Sequence, residues 1–212
     1  MSFSWLRKRL AGRGAKPPEP SVDWDAKYGT ETSAGARLDT LTIGHDSRRH
    51  GERYQASDPR VLHDAVAFMR LAPCDHRFID LGCGKGRMLI VAAELGFASC
   101  IGVEFADELA ELAAKNVAAS GFKTIEIVHG DAGAYAFGDD PFVLYMFNPF
   151  SKQVMECVRD NLAKLPRANY SIIYKNARER QLFDAMPTLR YVGSPPAHRA
   201  GVSGVHIWVP RK

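Results

Sequence analysis

Three carboxylates and three glycines stand where a chain of this kind could hold a small molecule. Asp80 follows the apolar pair Phe78-Ile79, and Gly82, Gly84 and Gly86 come at alternate positions around Cys83. Such a turn brings backbone closer to a ligand than any β-carbon would permit. Glu104 and Asp131 follow later apolar stretches, with Ala132 next to the second. One carboxylate can accept from both hydroxyls of a ribose, and another from an exocyclic amine. A phosphate does not suit this set. The string G-x-x-x-x-G-K-[ST] is missing, and a G-x-G-x-x-G beginning at Gly82 meets Arg87 where its last glycine should be. Asp80 would also repel a phosphate. The residues call for a nucleoside with an ammonium group and no phosphate.

The elements that must position these groups can be read from periodicity. From Arg77 onward strands alternate with helices. The spacing predicts strands at 77–81, 100–104, 124–128, 142–147 and 170–174, with helices at about 86–95, 107–119, 151–164 and 177–186. Gly96 and Gly121 end the first two helices. Two last strands, near 189–193 and 204–209, are joined too closely for a crossover and should pair antiparallel. This is an α/β fold, a Rossmann-like, doubly wound and mostly parallel seven-stranded sheet whose last strand pair is antiparallel. In such sheets ligands bind at the carboxyl ends of strands, where Asp80, Glu104, Asp131 and Asn148 all fall.

S-adenosylmethionine satisfies that chemistry, having an adenosine, a sulfonium and an amino-acid end. Asp80-Leu81-Gly82-Cys83-Gly84-Lys85-Gly86 resembles the D-x-G-x-G-x-G motif of class I S-adenosylmethionine-dependent methyltransferases. Glu104, Asp131 and Asn148-Pro149-Phe150 fall where that family has its ribose acid, its adenine acid and its motif after the fourth strand. The resemblance covers residues 77–210 and implies strand order 3-2-1-4-5-7-6. It implies that Asp80, Gly82, Cys83, Gly84, Gly86, Glu104, Asp131, Ala132 and Asn148 bind the cofactor. Taken singly, Glu104 could be a solvated strand end and Asp131 a cap or turn residue.

Asn148-Pro149-Phe150 is also similar to the N/D-P-P-Y/F motif of amino-group methyltransferases, with one proline where that motif has two. By this likeness Asn148 and Phe150 are the catalytic residues on the acceptor side. The bland alternative is a strand end followed by a helix start. Upstream, Tyr28-Gly29-Thr30-Glu31-Thr32 and Gly51-Glu52-Arg53-Tyr54 resemble the segments before the first motif in non-SET protein-lysine methyltransferases. That likeness makes Tyr54 a residue of a cofactor lid and Phe150 a wall of a lysine channel. Otherwise Tyr28 and Tyr54 merely cover the first helix of the sheet. Lys85 and Arg87 read as solvated residues at a helix start, His129 as structural and Asn176 as a weak substrate-side candidate.

The expected organisation is a basic tail and Pro-rich linker at 1–20, a cap or lid segment at 21–76, and a methyltransferase domain at 77–212. Within the cap, Asp58-Pro59 opens a helix whose apolar face is Val61, Leu62, Ala65, Val66, Phe68 and Met69. The chain of 212 residues is 46% hydrophobic with a net charge of +4. Five basic residues lie in 1–16 with no acid, leaving 23 basic against 24 acidic elsewhere. The body therefore has no charge excess suited to tracking nucleic acid. The tail reads as disordered, with weak peripheral contact to an acidic membrane surface as the alternative. Cys74, Cys83, Cys100 and Cys157 show no zinc spacing with the seven histidines and read as small buried hydrophobes in a reducing compartment. No apolar run reaches a membrane span, and the expected location is cytoplasmic. The expected partner is a methyl acceptor, and the expected reaction is transfer to an amine, a protein lysine among the options. The alternatives are a small-molecule or envelope-glycan O- or N-methyltransferase, and a cofactor-binding module without catalysis.

Overall fold

The computed structural model describes residues 23–33, 56–147, 150–166, 169–196 and 204–211. Seven strands form one sheet: β1 (Arg77–Leu81), β2 (Ser99–Glu104), β3 (Ile125–His129), β4 (Phe142–Phe147), β5 (Tyr170–Lys175), β6 (Leu189–Gly193) and β7 (Val205–Pro210). Their order is β3-β2-β1-β4-β5-β7-β6. The pairs among β1 to β5 are parallel, and β7 runs antiparallel to both β5 and β6. Burial follows position. The apolar run of β4 and all of β5 are covered on both faces, whereas β3 and β6, at the two edges, are half exposed. A strand covered on both faces needs apolar residues at every position, and Phe142–Phe147 supplies them.

Helices cover both faces. α1 (Trp24–Tyr28), α2 (Arg60–Met69), α3 (Arg87–Glu94) and α4 (Asp107–Ser120) accompany one face, and α5 (Lys152–Ala163) and α6 (Arg180–Asp184) the other. Met155, Val158 and Leu162 are buried from α5 at helical spacing, against Leu144, Met146 and Ile172 of the sheet. Val61, Leu62 and Ala65 of α2 and Met88, Leu89, Val91 and Ala92 of α3 close the other face over Phe78, Val143 and Tyr145. Asp58 opens α2 as its sequence suggests, its Oδ1 accepting from the Arg60 amide at 2.9 Å.

Three expectations are corrected. Phe68 is not on the buried face of α2 but 37% exposed, because the stripe that faces the sheet runs through residues 61, 62 and 65, with Val66 and Met69 partly buried beside it. Cys74 and Cys157 are exposed; only Cys83 and Cys100 are buried, and all four are free thiols. The helix expected over 177–186 is confined to Arg180–Asp184. Asn176 turns the chain first, with φ of 50°, and its side-chain neighbourhood is set by Gly204 rather than by a helix. No helix among the described residues is long and apolar enough to cross a membrane. The basic tail, the linker and the membrane contact expected of residues 1–16 lie outside the described residues.

Candidate active site

The glycine turn joins β1 to α3. Gly82, Gly84 and Gly86 have φ of 75°, 55° and 84°, a left-handed region that side chains disfavour. The Gly82 and Cys83 amides both donate to the Val103 carbonyl, at 2.9 and 3.1 Å, which fastens the turn to β2. A β-carbon on Gly86 would stand 3.5 Å from Ala113 Cβ, an ordinary contact, so its left-handed φ and not the approach of α4 is what calls for glycine there. Gly102 is a further close approach. A β-carbon there would stand 2.5 Å from Leu89 Cδ1 and 2.7 Å from Cys83 Sγ. A glycine inside a strand was the available signal for it.

Glu104 is 3% exposed, not a solvated strand end. Its Oε2 accepts from the Gly84 amide at 2.8 Å, and its Oε1 from the Phe105 and Ala106 amides at 3.1 and 3.0 Å. Burial pushes its pKa up, and these backbone donors, with His129 nearby, only partly draw it back. Asp80 is equally buried, at 3% exposure. Among the described residues no group donates a hydrogen bond to its carboxylate. Burial pushes its pKa well above the ordinary carboxylate value, and the charge of Glu104 pushes the same way. Burial likewise raises the Cys83 thiol well above its usual range. Cys83 is thus a packing residue of the turn and no nucleophile.

At the end of β3, Asp131 is exposed and its Oδ1 accepts from the Gly133 amide at 2.8 Å, capping a short 3-10 turn at Ala132–Ala134. Ala132 is buried against the core. Asn161 of α5 donates to the Gly133 carbonyl at 2.8 Å and so fixes this turn. Phe150 lies beyond β4, 8% exposed, in the core cluster beneath α5. His129 Nε2 lies 3.0 Å from Asp107 Oδ1 and 3.1 Å from the Phe105 carbonyl, at the base of α4. Asn148, Pro149 and Tyr54 lie outside the described residues.

The cap contributes what the sequence did not reveal. Lys85 is not solvated but buried, its Nζ 3.2 Å from Glu31 Oε1. Arg87 is largely covered too, donating to Thr32 Oγ at 2.7 Å and to Ser33 Oγ at 2.5 Å, with Asp25 at 3.7 Å. Asn116 of α4 is buried between them. Its amide nitrogen donates to the Lys85 carbonyl at 2.9 Å, and its oxygen accepts from the Glu31 amide at 2.9 Å. Residues 30–33 are shaped from within by Asp25, whose carboxylate accepts from Thr30, Thr32 and Ser33. Tyr28 packs between Trp24 and Phe122, and Lys27 pairs with Glu94 of α3. This segment is a strap across the starts of α3 and α4. Nothing in the periodicity of residues 23–33 marks such contacts, which span 54 to 94 positions.

A buried carboxylate to which no described residue donates, beside backbone in a left-handed turn, fits an ammonium group. A second acid lies one strand away, where a ribose would follow. The residues therefore fit S-adenosylmethionine, and the fold is the one that class I S-adenosylmethionine-dependent methyltransferases have.

Comparison with known proteins gives the same fold. Residues 78–171 match the family model described as a methyltransferase domain. Among solved structures, the chain is similar to ribosomal protein L11 methylase from Lactobacillus delbrueckii subsp. bulgaricus, at 17% identity, covering 70% of this chain and 76% of that one, with a TM-score of 0.52. It is also similar to an RNA methyltransferase from Salinibacter ruber in complex with S-adenosyl-L-homocysteine, at 20% identity, 75% and 95% coverage and a TM-score of 0.51. A mutant of MtNAS in complex with S-adenosylmethionine gives 18% identity, a TM-score of 0.54, and 72% and 61% coverage. At such identities the likeness to each structure is one of fold. No curated protein matches the sequence.

Proposed function

We propose that this methyltransferase acts on an amine nitrogen, in the cytoplasm, with a protein lysine among the acceptors. The observation that carries the cofactor half is the buried Asp80 carboxylate, which no described residue serves as donor. Bound there, S-adenosylmethionine supplies a methyl on a sulfonium, so that a nucleophile takes the methyl while the bonding pair stays on sulfur. The chain's own residues orient and shelter that event. Asp80 takes the ammonium, the turn from Gly82 to Gly86 leaves room for the amino-acid end, and Glu104 exchanges backbone donors for ribose hydroxyls. Asp131 and Ala132 flank the adenine, and Tyr54 belongs to the lid that continues from the strap.

An amine is supported by what stands at the ends of β4 and β5. Asn148, directly after β4, would accept from the target nitrogen, with Phe150 packed behind it. A neutral amine needs no general base once it is desolvated. Among the described residues the carboxylate that bears on this rim is Asp58, and both its oxygens are engaged by Arg60 at 2.9 and 3.0 Å. Among the described residues a hydroxyl acceptor would lack a ready base there. We place the boundaries of tail, cap and catalytic domain at 1–20, 21–76 and 77–212, with the strap packed onto the domain it precedes.

Labelled-methyl transfer from S-adenosylmethionine into lysate fractions tests the reading. Label in acid- and base-stable methylamine products of the wild type, lost in Asn148→Ala, is the expected result. Label in base-labile esters or in sugar hydroxyls would refute transfer to nitrogen.

A further inference from the structure

Lys175 closes β5 and is 7% exposed. It lies on the face of the sheet that carries Asp80. Asp80 pairs with Tyr145, Tyr145 with Ile173, and Lys175 comes two residues beyond Ile173 on the same side. Its Nζ sits 4.3 Å from the centroid of the Phe147 ring. No carboxylate, carbonyl or hydroxyl among the described residues accepts from it. An ammonium group has three donors, and burying it without acceptors is costly; a phenyl face returns only part of that cost. Burial pushes the Lys175 pKa down, against the pull of Asp58, a carboxylate that Arg60 already holds. A largely buried cation to which no described residue offers an acceptor, at the end of β5, is a place for an anion.

We infer that Lys175 anchors a carboxylate or phosphate carried by the methyl acceptor, which makes the acceptor an amine bearing its own negative charge. The inference rests on the amine reading above and names the substrate class for it. The cofactor's own carboxylate is the other source of such an anion, and the experiment below separates the two. A cation beside the target also favours the neutral, nucleophilic form of an acceptor amine, so one residue would both hold the substrate and prepare it.

The test uses protein labelled with carbon-13 at the lysine ε-carbons, the Lys175 resonance being assigned by its loss in Lys175→Met. Acetate and inorganic phosphate are titrated into the protein with and without saturating S-adenosylhomocysteine. The expected result is a saturable shift of the Lys175 signal by one of these anions, well beyond that of exposed lysines such as Lys152, with S-adenosylhomocysteine affinity equal in wild type and Lys175→Met. No saturable shift with either anion overturns the proposal. So does a shift produced by S-adenosylhomocysteine but not by 5′-methylthioadenosine, together with binding at least about tenfold weaker in Lys175→Met, which would give Lys175 to the cofactor's carboxylate. Failure of the cofactor reading itself shows separately, as a wild type that binds no S-adenosylhomocysteine.

Discussion

The proposed cofactor side of the sheet, at the ends of β1 and β2, differs from the proposed acceptor side, at the ends of β4 and β5, in how its polar groups are met. In the first, Glu104 accepts three backbone amides, Asn116 joins strap to turn, and Lys85 and Arg87 reach across to the strap. Among the described residues, none donates to Asp80. In the second, the buried Ser57 and Tyr145 hydroxyls pair at 2.7 Å, while the partner that the described residues give the Lys175 ammonium is the Phe147 ring. The proposed cofactor side is held mainly by backbone donors, and the proposed acceptor side by side chains drawn from separate segments. By the proposals above, the first suits an ammonium and the second an anion.

The sharpest way to break this contrast is Asp80→Asn. Removing the charge should weaken S-adenosylhomocysteine binding on the order of 100-fold, the worth of a buried charge-assisted contact, as read by calorimetry. The same substitution should leave the thermal midpoint unchanged or raise it, since it removes a carboxylate that burial penalises. Undiminished binding would move the ammonium site elsewhere. The pH dependence follows from the same group. Its folded pKa is raised, so ionised Asp80 opposes folding, and the ligand-free protein should lose stability as pH rises from the unfolded carboxylate value through the folded one. Cofactor affinity should rise over that interval, because the ammonium needs the carboxylate.

Next in size is Asn116→Ala, which leaves the Lys85 carbonyl and the Glu31 amide without their partner. Chemical denaturation should show a loss of about 1–3 kcal/mol, and the strap amides should exchange faster. A smaller and more local effect belongs to Asp25. Burial alone would raise its pKa, but hydrogen bonds from Ser33, Thr32 and Thr30 outweigh that and hold it well below the usual carboxylate range. Its contribution is thus present above the unfolded carboxylate value and lost as pH falls through the folded one. Hydrogen exchange should report residues 23–33 loosening in acid before the sheet does, and loosening together with the sheet would mean that the strap is not a separate unit. Least of all, Phe68→Ala on the exposed side of α2 should change stability by no more than about 0.5 kcal/mol, measured by thermal unfolding.

Much of the cofactor half was legible in the sequence. Alternation of short apolar runs with helical spacing gave the strands and their alternation with helices, and the position of Asp80 before alternate glycines gave the turn. The helix expected after β5 was overextended, because the turn at Asn176 depends on Gly204 nearly thirty residues away. Phe68 was misplaced because a six-residue apolar stripe does not say which part of it meets the sheet. Lys85 and Arg87 were misread for a related reason: basic residues at a helix start are usually solvated, and only the strap makes these two otherwise.

By itself, then, the sequence determined features that depend on neighbours a few residues apart. These are the left-handed glycines, the strand periods, the caps at Gly96 and Gly121, and the acids at the strand ends. Tertiary structure alone decided which charges are met. Asn116 meets the strap, Glu104 meets the turn, and Lys175 is buried with its ammonium over the Phe147 ring. The physical reason is that the cost of a buried charge is set by the surroundings that folding brings to it, and those surroundings come from parts of the chain whose spacing carries no record of their meeting.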